Sequence, residues 1–229
     1  MTKGLIFDYG GTLDTGGCHW GMVLWHAYER NGVPVSEELF RNAYVYGERT
    51  LATNRIIMPN STFRDTLSEK IHLQLEWLED NGALNKAMMY HGAILDDVYS
   101  LAKHTTKESV KVLKTLAENH PIVLVSNFYG NINTVLKEFS FDGIFKDIIE
   151  SAVVGIRKPD PRIFELGVEH LAMQPEEVTV VGDSYTKDIV PAHAIGCRTV
   201  WIKGEGWTEE KIENPVSDEI ISNLTELIK

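Results

Sequence analysis

Four short runs of consecutive apolar residues, rich in Val, Ile and Leu, occupy residues 2–8, 121–126, 178–182 and 198–202. Each ends in small or polar residues: DYGG, SN, GD and KG. An unbroken apolar run of this length predicts a strand buried on both faces, as in a parallel sheet covered by helices. Between the runs the pattern shifts to the helical period. Phe164, Gly167, Val168 and Leu171 recur at i, i+3, i+4 and i+7 and predict one buried helix face. Asp160-Pro161 just before them is a helix start, because Asp accepts from free N–H groups and proline suits the first turn. Glu108 to Glu118 and Tyr129 to Glu138 read as two further helices. Alternating strands and helices predict an α/β fold with a Rossmann-like, doubly wound parallel sheet.

Residues 16–104 behave differently, with helical patterns and no convincing strand. Phe63, Leu67, Ile71, Leu75 and Leu78 form one stripe on a long helix that should end near Asn81-Gly82. Some ninety helical residues between the first and second strands are too many for a simple crossover. We therefore expect a core from residues 1–15 and 105–229, with residues 16–104 inserted as an α-helical cap domain over the sheet edge. Extra helices packed on one sheet face are the alternative.

Composition narrows the function classes. With 43% apolar and 24% charged residues the chain is an ordinary globular protein. The net charge of −11 gives no long-range attraction to nucleic acid or anionic membrane, and no basic run with interleaved aromatics supports nucleic-acid binding. No segment is long and apolar enough to predict a membrane span. Two cysteines, Cys18 and Cys197, are too few for a disulfide framework, so a cytoplasmic, reduced protein is expected and the sequons at Asn60 and Asn223 read as chance matches.

Chemistry-bearing residues cluster where strands end, which is where ligands bind in an open parallel sheet. GLIFDYGGTLDT (4–15) delivers Asp8 to a strand tip, followed by Gly10-Gly11, which allow a tight turn. IVLVSN (122–127) presents the Ser126 hydroxyl and the next backbone N–H groups. IRKPDPRIF (156–164) presents Lys158 before a helix, and VTVVGDSYTKDI (178–189) carries Asp183 and Asp188. Each alone is common turn or surface chemistry. Together they put three carboxylates, a hydroxyl and an ammonium on strand tips, a set suited to a hard cation such as Mg2+ and a tetrahedral anion.

The order Asp-x-x-Gly-Thr-Leu, Ser-Asn, Lys-Pro and Gly-Asp-x-x-x-x-Asp resembles the haloacid dehalogenase-like hydrolase superfamily, over roughly the whole chain. The insertion between the first two motifs stands where that family carries a helical cap. The resemblance implies a Mg2+-dependent phosphatase acting on a small phosphorylated metabolite. It makes Asp8 the nucleophile that forms an aspartyl-phosphate, and Ser126 and Lys158 the phosphate-binding pair, with Lys158 also steadying Asp8. Asn127 and Thr12 join them as binding residues, Thr12 bracing the loop. Asp8, the Gly10 carbonyl and Asp183 match metal ligands, and Asp188 the carboxylate that supports the metal's water.

One position departs from the pattern. Phosphatases of this family carry a second Asp two residues after the nucleophile as general acid and base; here that residue is Gly10. General acid–base help is worth about 10²–10⁴-fold, so the loss should be large for an alkoxide leaving group and small for an acyl phosphate. A substitute acid from the cap or from Asp14, a low-activity phosphate-binding or regulatory protein, and a phosphonate-type hydrolase all remain open. The last needs a cap lysine, and Lys70, Lys86 and Lys103 are the candidates. Dehalogenation is disfavoured, because Tyr9 stands one residue rather than two after the nucleophile and Asp183 is kept. His19, Trp20, Trp25 and His26 follow the first motif and read as cap core. His91 and His104 lack zinc spacing, and Arg49 and Arg55 read as solvated surface.

Overall fold

The computed structural model describes residues 2–208 and 212–228. Among the described residues six strands form one parallel sheet: β1 Gly4–Phe7, β2 Ile122–Ser126, β3 Asp147–Glu150, β4 Val178–Gly182, β5 Arg198–Ile202 and β6 Glu219–Ile221. Their spatial order is β3-β2-β1-β4-β5-β6. The four apolar runs are thus strands, and the doubly wound α/β expectation holds. Strands β1, β2 and β4 are buried along their whole length, which is why they read as unbroken apolar runs. The edge strands β3 and β6 escaped the sequence reading because they are short and half exposed, with Asp147 and Glu219 at their starts.

Side chains alternate across the sheet. Ile6, Val123, Val125, Val178 and Val180 face one way and pack on Phe164, Val168 and Leu171 of the helix Arg162–Leu171. Leu5, Phe7, Ile122, Leu124 and Val181 face the other way, into a core shared with the inserted helices. These are α1 Trp20–Arg30, α2 Glu37–Thr53, α3 Phe63–Asp80 and α4 His91–Ala117. Helices α5 Ile132–Glu138, α6 Ser151–Val154, α7 Arg162–Leu171 and α8 Val190–Ala194 complete the layers.

Local rules explain the ends of α3. Thr62 and Asp65 form a reciprocal capping box at its start, and Asn81-Gly82 closes it, with Gly82 at φ +67°. Its predicted stripe, Phe63, Leu67, Ile71, Leu75 and Leu78, is buried throughout. Helix α4 differs from expectation. The predicted helix at 108–118 is the C-terminal part of one 27-residue helix, which runs unbroken through residues 104 and 105. At 1.5 Å per residue it is about 40 Å long and carries the chain from the inserted helices toward the sheet, with only residues 118–121 between it and β2. The opposite connection holds Gly16 and Gly17, at φ +65° and +97°. Helix α5 begins at Ile132, leaving Tyr129 in the loop after β2.

Helix α7 lies so close to the sheet that a Cβ on Gly167 would meet Ile6 Cδ1 at 2.7 Å and Val125 Cγ2 at 3.2 Å. Both neighbours are fully buried and have no room to retreat. Gly167→Ala should therefore lower stability by about 1 kcal/mol or more through overpacking, despite the helix-propensity gain of alanine. Denaturant titration checks this; a midpoint at or above wild type would mean that α7 lifts freely.

Candidate active site

The sheet order reverses between β1 and β4, so the crevice at their C-terminal ends is the topological switch point. Asp8 follows β1 and Asp183 follows β4. The Asp8 N–H donates to the Val181 carbonyl at 3.0 Å, extending the ladder and fixing the residue at the sheet tip. Beside it, Tyr9 is fully buried and makes edge contacts with Phe63, Phe128 and Phe141. It anchors the nucleophile loop by packing and does not line the cavity.

Lys158 holds the centre. Its Nζ lies 2.6 Å from Asp8 Oδ1 and 2.7 Å from Asp188 Oδ1, all three side chains being buried. Burial alone would lower the Lys158 pKa, but Asp188 and Asp8 outweigh it and push the ammonium above its ordinary value. The Lys158 backbone is clamped by Asn127, whose Nδ2 donates to the Lys158 carbonyl at 3.0 Å while its Oδ1 accepts from the Lys158 N–H at 2.9 Å. The Asn127 side chain, assigned from sequence to ligand binding, thus spends its amide on positioning Lys158. Asp188 Oδ2 accepts from the Ser184 N–H at 3.0 Å. Thr12 Oγ1 donates to Asp183 Oδ1 at 2.9 Å, a bracing contact. Two glycines permit this crowding: a Cβ on Gly11, at φ +97°, would overlap the Asp183 carboxyl, and one on Gly182 would overlap Asp188.

Carboxylate oxygens of Asp8, Asp183 and Asp188 lie within 4.8 Å of one another. Burial, then repulsion from Asp188 and Asp8, pushes the Asp183 pKa well above the usual carboxylate range. Burial and Asp8 push Asp188 up to about 6, against the opposing pull of Lys158. One ammonium does not offset three clustered carboxylates, two of them buried and Asp183 half-buried, and an all-oxygen set fits Mg2+. These residues and the Gly10 carbonyl, to which no described residue donates, are the groups that would hold it.

Asp8, Gly10, Ser126, Asn127, Lys158, Asp183 and Asp188 line one cavity of about 160 Å³, small beside the roughly 300–1,000 Å³ of drug-sized pockets. Asp14 also reaches it, but its Oδ1 accepts from the Gly11 N–H at 2.7 Å and its Oδ2 from Trp20 Nε1 at 2.9 Å. Burial is the largest influence raising the Asp14 pKa, to about 7. Sequence reasoning missed the rest of the wall: Tyr44 and Glu48 from α2, Thr66 from α3, and Phe128, Tyr129, Arg157 and Lys187 from the core. Of the lysines considered, Lys70 lines the cavity, whereas Lys86 and Lys103 are exposed elsewhere. His19 and Trp20 also reach the wall; Trp25 packs on Phe40, and His26 pairs with Glu29 and Glu205 outside it. Arg55 borders a neighbouring cleft with Arg157. No motif marks these wall residues, so only the fold could find them.

A carboxyl whose pKa rises on folding favours the folded state below its unfolded value and loses that advantage as pH climbs through the folded value. For Asp188 the loss runs from 3.8 to about 6, and Asp183, raised well above 3.8, loses its advantage in the same direction. In EDTA, the melting temperature should therefore fall between pH 5 and pH 8. Asp183→Asn should flatten that fall and raise Tm at pH 8 by at least about 2 °C, the shift that roughly 1 kcal/mol produces in a domain of this size. Mg2+ should raise Tm of wild type at pH 8 but not of the variant. A destabilised Asp183→Asn in EDTA at pH 8 would contradict the repulsion.

Comparison with known proteins agrees with this site. A family model described as haloacid dehalogenase-like hydrolase matches residues 2–196. Glyceraldehyde 3-phosphate phosphatase of Pyrococcus furiosus is 33% identical over 89 residues, 38% of this chain and 37% of that one. Phosphoserine phosphatase of Thermus thermophilus is 41% identical over 58 residues, 25% of this chain and 23% of that one. The matched segments thus span well under half the length of these relatives. A solved dehalogenase with an intermediate complex superposes with TM-score 0.66 at 19% identity, covering 99% of this chain and 95% of that one, a likeness of fold. The strand tips carrying Asp8, Ser126 and Asp183 and the loop carrying Lys158 meet around one crevice, and a family model that spans most of the sequence makes this chain a member of the haloacid dehalogenase-like hydrolases.

Proposed function

We propose that the protein is a Mg2+-dependent phosphatase of a small phosphorylated metabolite, working through an aspartyl-phosphate on Asp8. The observation that carries this reading is the buried Lys158 ammonium seated between Asp8 and Asp188. It holds the Asp8 carboxylate oriented and places positive charge where a phosphoryl group would sit. The phosphatase activities of relatives, known from their names, support the same class.

In this mechanism Asp8 attacks phosphorus in line, while the Ser126 hydroxyl and Lys158 bind the equatorial oxygens. Mg2+, when bound, would supply positive charge against the carboxylates and the phosphoryl oxygens. The leaving oxygen departs with the bonding electron pair, and water then cleaves the aspartyl-phosphate to regenerate Asp8. The small cavity, flanked by α2 and α3, supports a small substrate. The surroundings of Lys70 weigh against the phosphonate reading. A Schiff-base lysine needs a neutral amine, yet Glu48 lies 2.7 Å from Lys70 Nζ and keeps it protonated. Tyr9, packed away from the cavity, likewise gives no support to dehalogenation. Gly10 is the one observation that favours a low-activity phosphate-binding protein.

Phosphate release from acetyl phosphate and 4-nitrophenyl phosphate decides between the two. Turnover should require Mg2+, disappear in EDTA, and fall below detection in Asp8→Asn. Lys158→Met should lose about 10²-fold or more in kcat, the cost of one preorganised charge-stabilising group. No Asp8-dependent release from either compound would leave the binding-protein reading in front.

A further inference from the structure

Gly10 leaves a space. A Cβ built on it meets nothing within 4 Å, and its φ lies outside the positive region. The leaving-group side of the cavity therefore has room for an acid that residue 10 does not supply. The titratable groups of the cavity wall differ in what they have left to give. Asp14 has its pKa raised to about 7 by burial, but it accepts an N–H on each oxygen, as above, which ties both oxygens to Gly11 and Trp20. His19 accepts the Gly21 N–H on Nδ1 at 3.0 Å, and burial lowers its pKa to about 4, so it is a neutral imidazole at physiological pH. Among the described residues, Lys70 is the one ammonium that the inserted helices place on the cavity wall. It is 8% exposed, its Nζ lies 2.7 Å from Glu48 Oε1 and 5.2 Å from the Tyr129 ring centroid, and Glu48 Oε2 accepts from the Tyr129 hydroxyl at 3.0 Å. An ammonium has three donors; here it is ion-paired with Glu48 Oε1 and lies beside the Tyr129 ring on the cavity wall.

We propose that Lys70 is the general acid that replaces the carboxyl absent at position 10, so that the enzyme hydrolyses alkyl phosphate monoesters as well as activated ones. The proposal rests on the aspartyl-phosphate reading above. In the first step the Asp8 oxygen bonds to phosphorus, the bond from phosphorus to the ester oxygen breaks with its electron pair on that oxygen, and a proton passes from Lys70 Nζ to it. The alcohol leaves and Lys70 is a neutral amine beside the Glu48 carboxylate. In the second step water attacks phosphorus, its proton returns to Lys70, and the bond between phosphorus and Asp8 breaks. Glu48 and Tyr129 are positioning residues: the carboxylate, with burial opposing it, keeps Lys70 protonated in the resting state, and the hydroxyl holds the carboxylate. An alkoxide is far more basic than an amine, so the transfer runs downhill.

The test is the dependence of kcat/KM on the leaving group, measured with acetyl phosphate, 4-nitrophenyl phosphate and a simple alkyl phosphate. Lys70→Met should lose about 10²–10⁴-fold on the alkyl ester and less than about tenfold on acetyl phosphate, whose leaving group needs no proton. Lys70→Arg keeps the charge and the Glu48 partner, so it guards against misfolding; because guanidinium does not release its proton, it should show the same leaving-group bias. Gly10→Asp should recover at least about tenfold on the alkyl ester in the Lys70→Met background, where a carboxyl acid is lacking, and gain little in wild type. Equal losses on all three compounds, an alkyl ester that wild type does not turn over while it hydrolyses acetyl phosphate, or an equal Gly10→Asp gain in both backgrounds would each overturn the assignment. Failure of the aspartyl-phosphate reading is distinguishable, since acetyl phosphate would then show no Asp8-dependent turnover in wild type.

Discussion

The site depends on one buried ammonium, Lys158, placed between two buried carboxylates, Asp8 and Asp188. A charge taken out of water costs several kcal/mol unless it is paired and hydrogen-bonded, so none of the three is tolerable alone. Everything around them serves to keep the pairing. Asn127 at the tip of β2 clamps the Lys158 backbone from both sides. The Ser184 N–H at the tip of β4 fixes the far oxygen of Asp188. Gly11 and Gly182 give the carboxyls of Asp183 and Asp188 the space that any Cβ would take. The doubly wound sheet is what brings these loops together, because its order reverses between β1 and β4.

The inserted helices complete the site from the other side, and the structure holds them at several points. Helix α4 runs without a break from the insertion into the face of the sheet. The Phe63 N–H and the Tyr99 hydroxyl both reach Glu138 of α5. Beyond β5, Trp207 packs between His19 and Tyr44, with the Arg41 guanidinium 4.1 Å from its ring centroid. A side chain on Gly21 would collide with that indole. Glu48 and Lys70 of α2 and α3 meet Tyr129 of the core at the cavity wall. The layer that closes the cavity is thus tied to the layer that carries the nucleophile by packing, charge and hydrogen bonds together.

The two adjacent glycines of the first motif have different reasons to be there. Gly11 is required by its backbone, at φ +97°, and by the Asp183 carboxyl against it. Gly10 is required by neither, since its backbone is ordinary and the space beside it is open. What this chain lacks relative to the family pattern is a functional group, not room for one. That makes the departure chemical rather than structural, and it shifts attention to the polar residues that the inserted helices send into the same cavity.

Much of this was legible along the chain. Asp8, Ser126 and Asp183 stand at the ends of central strands whose both-sided burial writes an unbroken apolar run, so local pattern and motif reinforce each other, whereas Lys158 lies in the loop after α6 and is marked by its motif alone. The stripe of α3 was equally plain, because one buried helix face repeats at a fixed period. The edge strands Asp147–Glu150 and Glu219–Ile221 were not legible, since half-exposed strands of three or four residues carry no pattern. Nor was the continuity of α4, whose polar middle reads as a boundary. The cap side of the cavity lay furthest from view. Glu48, Lys70 and Tyr129 are distant in sequence and each looks like a surface residue; only the packing of α2 against α3, over the loop after β2, turns them toward Asp8 and buries the charge of Lys70. Local sequence determined which residues sit at strand tips, because backbone hydrogen bonding and burial periodicity are local. Which charges become buried neighbours was decided by tertiary structure, because desolvation and ion pairing depend on what folds over them.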